Sequence, residues 1–202
     1  MDRSELIFRA KIGSVVALWF AALYGAADHV MRGTPGLPSV LTRWDAMLPF
    51  WPSFALFYLS VTPFLCLPLL IVPGRPALKV LALTLMAEIA LGAVIFVTFP
   101  VAPPPLPAGP HPVLLRLADL INLDLNNLPS LHVALTATTL LGLRAYLGRM
   151  LVPVTLWAAL IGLSTLVTRQ HDLASCAAGL VLAALGHWGI APRIRGYVAG
   201  SG

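Results

Sequence analysis

The chain has 202 residues, of which 58% are hydrophobic and only 10% are charged, and its formal net charge is +5. A soluble domain carries about a quarter charged residues, so this chain has too few to cover a water-facing surface. The composition therefore predicts a polytopic membrane protein, and the scattered cations argue against a nucleic-acid partner.

Apolar runs long enough to cross a bilayer, about 17–25 residues each, occur six times. They lie near residues 12–30, 53–73, 77–99, 130–148, 150–168 and 172–191. Pro63 and Pro68 are expected to kink the second run, which neighbouring helices tolerate. The first run loosely resembles a secretory signal, but five spans would remain after cleavage, and we favour an uncleaved first helix. We predict an all-α bundle of six transmembrane helices that forms a single domain over residues 1–202.

The lysines and arginines predict the orientation of this bundle. Of the 13, only four lie in the first, third and fifth loops: Arg32, Arg43, Arg116 and Arg169. The positive-inside bias then puts both termini in the cytoplasm, and the third and fifth loops outside. We expect the protein in the cell (cytoplasmic) membrane, with any active site in those loops on the extracytoplasmic side.

Two connections are unusual in composition. The first loop combines Trp44 and Trp51 with charges and prolines, and we expect it at the level of the lipid headgroups. The connection from Phe99 to Asn127 begins FPVAPPPLPAGPHP. So many prolines cannot form a helix interior, so we expect an extended lid or scaffold at the outer surface, with His111 and Arg116 solvated.

The fourth run begins with the stretch NNLPSLHVALT. Pro129 suits the first turn of a helix, and Asn126, Asn127 and Ser130 can bond to its free amides. Such a helix start attracts an anion, because unpaired N–H groups and the helix dipole both favour negative charge. His132 lies in that first turn, where a histidine by itself is more often interfacial than catalytic.

A second signature, STLVTRQHDLASCAAG, lies between the fifth and sixth runs. It places Arg169, His171 and Asp172 on the same predicted side of the membrane as His132. Neutral imidazole can attack phosphorus, and a second histidine can protonate the departing alkoxide. The pair therefore predicts a phosphate site. It needs neither metal nor cofactor, provided that cations and amides hold the phosphate oxygens. Cys66 and Cys176 lack metal-ligand spacing.

FPVAPP at 99–104, PSLH at 129–132 and TRQH at 168–171 together resemble the type-2 phosphatidic acid phosphatase superfamily. They are most similar to its branch of inositol phosphorylceramide synthases. The resemblance covers residues 99–180 and agrees with six spans.

The resemblance implies a role for each matching residue. His171 would form a phosphohistidine intermediate, and His132 would protonate the leaving group. Ser130 would donate to the phosphate, and Arg169 takes the place of the basic residue two before the histidine. Asn127 and Asp172 complete the set of residues that we expect around the substrate.

The chain departs from the family at three points. FPVAPPPLP offers no counterpart to a lysine-plus-arginine signature, and Ser164-Thr165 stands where the main branch has Ser-Arg. The family also places an aspartate four residues after the nucleophilic histidine, to orient the imidazole and stabilise its charged form. Here that catalytic position is Ser175.

Asp172 substitutes poorly for that aspartate, because neighbours on a helix point about 100° apart, unless the helix begins after Asp172 and the residue caps it. Three interpretations of Ser175 follow. The serine is a natural change that weakens catalysis, its loss of charge is compensated by another carboxylate, or it is a substitution that inactivates the enzyme.

These observations predict an enzyme that removes or transfers a phosphoryl group of a lipid phosphate or phospholipid. With water as acceptor it is a phosphatase, which we favour; with an alcohol such as ceramide it is a synthase. The alternative, motivated by Ser175, is a catalytically silent protein that binds or transports lipid.

Two further titratable residues lie within apolar runs. Glu88 is in the middle of the third run, where a carboxylate is costly enough to suggest a function or a partner. We favour a structural role for it, either protonated or hydrogen-bonded to a neighbouring helix. His187 is also expected to be structural.

Overall fold

A computed structural model describes residues 2–123 and 125–200, and all of its regular elements are helical, which confirms the all-α prediction. The α-helices are α1 (Arg3–Met31), α2 (Arg43–Met47), α3 (Ala55–Leu59), α4 (Val61–Ile71), α5 (Arg75–Thr98), α6 (Val113–Ile121), α7 (Leu131–Leu143), α8 (Leu151–Val167), α9 (Leu173–Ala184) and α10 (Ala191–Gly200). Short 3₁₀-helices at Pro52–Phe54 and Gly148–Met150 precede α3 and α8. A π-helix, Leu185–Ile190, joins α9 to α10.

Within this part of the chain, five helical stretches are long and apolar enough to cross a membrane. They are Arg3–Met31, Pro52–Ile71, Arg75–Thr98, Gly148–Val167 and Leu173–Gly200. Each overlaps a predicted apolar run, and together they are compatible with an integral membrane protein. The remaining predicted run contains α7, whose 13 residues rise only about 20 Å, against a hydrocarbon core of ~30 Å. α7 packs against α4, α5, α8 and α9 and is the inner helix of the bundle.

The second apolar stretch is interrupted at Ser60, between α3 and α4. Pro63 has no N–H to donate to the carbonyl of Leu59 four residues earlier, so the helix cannot continue unbroken there. Pro68 lies inside α4. The indole N–H of Trp157 in α8 donates to the Ser60 hydroxyl at 2.8 Å. This hydrogen bond stabilises the break between α3 and α4.

The proline-rich connection is only partly as predicted. Residues 100–112 contain no helix, in agreement with their prolines, but the helix α6 follows and corrects the expectation of one extended lid. Leu115 and Ala118 of α6 pack against Ala55 and Tyr58 of α3. α6 has only nine residues, so its helical pattern was not recognised in the sequence next to the preceding prolines.

The starts of α7 and α9 lie directly against each other. The backbone N–H of Ser130 donates to the carbonyl of Ser175 at 2.9 Å. A Cβ at Gly179 would lie 2.5 Å from the backbone oxygen of Ser130, so only glycine permits this approach. The two signatures are therefore joined backbone to backbone.

Glu88 of α5 is fully buried against α7 and the π-helix. The Thr138 hydroxyl donates to its Oε1 at 2.6 Å, which is the expected hydrogen bond to a neighbouring helix. Gly186 faces the same carboxyl, and any side chain there would overlap it.

Candidate active site

The structure brings the two predicted histidines together. His132 is the second residue of α7, and His171 lies in the loop between α8 and α9. Their ring centroids are 5.9 Å apart. One phosphoryl group placed between the rings could contact both, as the division of labour between nucleophile and acid requires.

Asn127 orients the imidazole of His171. Nδ1 of His171 lies 3.0 Å from Oδ1 and 3.1 Å from the backbone oxygen of Asn127. Both oxygens only accept hydrogen bonds, so Nδ1 carries the proton and the neutral ring keeps its lone pair on Nε2. The Asn127 amide nitrogen donates to Asp172 at 3.0 Å and to the carbonyl of Ala102 at 3.2 Å, which fixes the orientation of the amide.

The other nitrogen of His171 is available for chemistry. Nε2 is buried and has no hydrogen-bond partner among residues 2–123 and 125–200. Burial lowers the pKa of His171 to about 4, although the nearby charge of Asp172 and the Asn127 backbone oxygen act to raise it. The ring is therefore neutral at pH 7, which is the nucleophilic form.

Asp172 caps α9, because that helix begins at Leu173. Its Oδ1 accepts the backbone N–H of Ser175 at 2.7 Å, and its Oδ2 accepts the Ser175 hydroxyl at 3.0 Å. Among the described residues, hydrogen bonds connect the carboxylate to His171 through the Asn127 amide. The hydroxyl of Ser175 is directed to Asp172, and its catalytic role stays a prediction.

His132 stacks on a tyrosine that the sequence analysis did not single out. The rings of Tyr58 and His132 are 4.2 Å apart and inclined by 22°. Tyr58 is buried, and its hydroxyl has no hydrogen-bond partner in the described chain. Nothing local distinguishes this tyrosine from other aromatic residues of apolar runs. Ser130 caps α7, its hydroxyl accepting the N–H of Val133 at 3.4 Å.

Arg169 turns toward the first loop. Its guanidinium donates to the carbonyls of Asp45 at 2.6 Å and of Leu48 at 2.8 Å, and its backbone is left-handed with φ 60°. In this arrangement its charge is held by the first loop, and the predicted phosphate contact would require the side chain to turn.

Asp45, which the sequence analysis did not identify, also holds the first loop in place, by bonding to the start of α9. It is buried and accepts the N–H of Leu173 at 2.8 Å, together with the N–H and hydroxyl of Thr42 at 2.7 Å each. Burial acts to raise the pKa of Asp45, but these hydrogen bonds outweigh it and lower the pKa. In the sequence, Asp45 could have been identified from the Thr-x-x-Asp spacing of a capping box.

Two cavities share a lining residue, and one of them reaches the histidines. The apolar cavity, about 350 Å³, runs between α1, α4, α5 and α7 and ends at His132 and His171. The outer cavity, about 620 Å³, is lined by charged residues that include Arg32 and Arg116. Asn122 lines both. It donates to Gln170 at 2.9 Å and accepts a hydrogen bond from the Tyr24 hydroxyl at 3.0 Å.

Comparison with protein families, with curated proteins and with solved structures found no match for this chain. The family resemblance therefore depends on the quoted residues alone, and the reaction assigned to them is a proposal.

Proposed function

We propose that the chain is an integral membrane lipid phosphatase or phosphotransferase that acts through a phosphohistidine at His171. One observation carries the proposal: the rings of His132 and His171 are 5.9 Å apart at the end of a largely apolar cavity. A lipid phosphate has the same two parts, a charged group that needs polar partners and a chain that prefers apolar surroundings.

In the first half-reaction, Nε2 of His171 attacks phosphorus. The N–P bond forms as the P–O bond to the lipid breaks, and His132 gives its proton to the departing alkoxide. The dephosphorylated lipid leaves. Asn127 Oδ1 accepts a hydrogen bond from Nδ1–H of His171 throughout, and the Asp172 carboxylate holds the Asn127 amide in place.

In the second half-reaction, an acceptor hydroxyl attacks the phosphoryl group. His132, now neutral, takes the proton of the acceptor, and the N–P bond breaks to restore His171. Water as acceptor releases phosphate, and an alcohol gives a transferred phosphoryl group. The outer cavity, about 620 Å³, shares Asn122 with the apolar cavity and could admit water or a small alcohol.

We propose that the protein lies in the cell membrane with six spans, the five long helical stretches and the shorter α7, and with both termini in the cytoplasm. The distribution of lysines and arginines supports this orientation. The site then faces outward, and the shortness of α7 is tolerable because other helices surround it.

A catalytically silent lipid-binding or transport protein is the second candidate. It is favoured by the position of Arg169, whose guanidinium bonds to Asp45 and Leu48. Among the described residues, the apolar cavity has no lysine or arginine in its lining. An enzyme would need Arg169, or an amide, to hold the phosphate oxygens.

The purified protein in lipid nanodiscs would be incubated with a panel of lipid phosphates, with and without ceramide. We expect phosphate release or transfer, and an acid-labile phosphoprotein that disappears in His171→Ala. His132→Ala should lose about 10²–10⁴-fold in rate and recover with an ester whose leaving group needs no proton. His187→Ala, in the π-helix at the other end of α9, is the histidine control.

Activity without labelling at His171, or labelling that persists in His171→Ala, would overturn the mechanism. No turnover of any lipid phosphate, together with tight lipid binding, would favour the silent protein. Arg169→Lys separates the roles of that residue. A raised KM indicates phosphate contact, and lowered thermal stability with unchanged KM indicates that Arg169 only secures the loop.

A further inference from the structure

The apolar cavity has the length of one lipid leaflet. It is lined along α1 from Ile12 to Tyr24, a stretch that rises about 18 Å at ~1.5 Å per residue. Half of a ~30 Å hydrocarbon core is about 15 Å. A chain that starts at the histidines and runs along α1 would therefore end close to the middle of the membrane.

The cavity opens sideways between α1 and α4. Ala17 of α1 and Thr62 and Cys66 of α4 belong to its lining and are exposed on the flank of the bundle. In a membrane that flank faces the lipid. A hydrocarbon chain can therefore enter from the bilayer without crossing the Tyr24–Asn122 contact at the polar end.

The far end of the cavity is closed. Arg9 donates from its guanidinium to the carbonyls of Leu69 and Val72 at 2.8 and 2.9 Å, which fastens α1 to the end of α4. Just beyond it, a Cβ at Gly13 would lie 2.8 Å from Cδ1 of Leu69. Gly13 and Leu69 thus form the floor of the cavity, because the missing side chain at Gly13 lets Leu69 lie directly against α1.

The volume limits the number of chains. A group of the size of water occupies ~30 Å³, and a methylene is of similar size. A cavity of about 350 Å³ therefore holds on the order of a dozen methylenes. That is one chain of moderate length, and a second chain of a diacyl lipid would have to remain in the bilayer.

We infer that the apolar cavity binds one hydrocarbon chain of the lipid and that its floor, at Gly13 and Leu69, limits the length of that chain. The inference rests on the proposed function for the identity of the headgroup. The chain lies along α1 with its polar end at His132 and His171.

A series of single-chain lipid phosphates of increasing length tests the floor. When affinity is expressed relative to the free lipid phosphate in water, each methylene buried should strengthen binding about fourfold, the equivalent of ~0.8 kcal/mol, until the cavity is full at roughly a dozen carbons, after which affinity levels off. In Gly13→Leu the plateau should come several carbons earlier. Gly25→Leu, on the same helix but with open space around the new side chain, should keep the wild-type plateau.

Leu69→Ala removes part of the floor and so deepens the cavity. It tests the inference even if Gly13→Leu does not fold. Its plateau should move to longer chains. A plateau that stays at the wild-type length in every folded floor variant would overturn the inference.

Crosslinking separates this inference from the proposed function. A phosphate-free long-chain alcohol with a terminal diazirine would be photolysed with the His171→Ala protein in nanodiscs, where no turnover is needed. Crosslinks at the floor, near Gly13, Leu69 and Leu78, support the cavity even if no phosphatase activity is ever found. Crosslinks confined to outward-facing residues such as Leu18 and Leu70 would overturn it, whatever the activity.

Discussion

The side-chain oxygen of Asn127 lies 3.0 Å from Nδ1 of His171, and its amide nitrogen lies 3.0 Å from the carboxylate of Asp172. The Asn127 amide thus connects the histidine to an acid. Its two hydrogen bonds fix the imidazole relative to the carboxylate. The amide lies between the two groups, so the negative charge does not bond directly to the imidazole.

Removing the amide should therefore damage the reaction more than substrate binding. In Asn127→Ala we expect kcat to fall by about 10²-fold, the size of effect produced by ~1 Å of misplacement, with KM little changed. Steady-state kinetics on the lipid phosphate preferred by the wild type measures this. A variant that loses affinity while kcat is kept would instead assign Asn127 to the substrate.

The pH dependence of kcat/KM should reveal the burial of His171. Because its pKa is lowered to about 4, activity should persist well below pH 6.5 and fall only as His171 takes up a proton near pH 4. The Asp172 charge acts to raise that pKa, so Asp172→Asn should move the acid limb to still lower pH.

Asn caps helices about as well as Asp, so Asp172→Asn should keep the start of α9, whereas Asp172→Ala should lose ~1 kcal/mol of stability. An acid limb near pH 6.5 in the wild type, or one that rises in Asp172→Asn, would contradict this account of His171.

Introducing at position 175 the aspartate that the resemblance would lead one to expect should not improve this protein. The Ser175 side chain is buried and its hydroxyl donates to Asp172 at 3.0 Å. In Ser175→Asp two carboxylates would share that space, which disfavours ionisation of both. We expect a loss of about 2 kcal/mol or more of stability and lower activity.

Thermal unfolding and phosphate release, with Ser175→Ala as the matched variant that adds no charge, give the comparison. A clear gain of activity in Ser175→Asp would instead mean that the serine is an inactivating change on an otherwise competent site.

The contact between α7 and α9 makes Gly179 sensitive. The methyl group of Gly179→Ala would press on the backbone oxygen of Ser130, which cannot turn aside as a side chain can. We expect a cost of about 1–3 kcal/mol and at least tenfold lower activity, since the starts of α7 and α9 carry or adjoin the two histidines.

Gly162→Ala is the control for this substitution, because in α8 the new methyl group meets nothing within 4 Å. It should leave activity unchanged. Equal effects of the two substitutions on activity would show that the close contact at Gly179 is unimportant.

The fold was predictable from local patterns to a large extent. Run length and hydrophobicity identified the spanning helices, and Pro63 marked the interruption at Ser60. The helix α6 was not recognised because nine residues after a proline-rich stretch carry little periodic signal. The short length of α7 was also hidden, since the apolar run around it is longer than the helix itself.

The sequence by itself determined that the protein is helical, that its apolar runs suit a membrane, and that two histidines stand beside helix starts. Each of these depends on neighbours along the chain, such as the capping of α9 by Asp172.

Only the tertiary structure decided which nitrogen of His171 is free, where Arg169 points, and that Tyr58 stacks on His132. It also decided that an apolar cavity ends at the two histidines. These features depend on contacts between residues far apart in the sequence, such as Asn127 and Asp172, 45 positions apart. Such contacts are set by how the helices pack, which no local pattern contains.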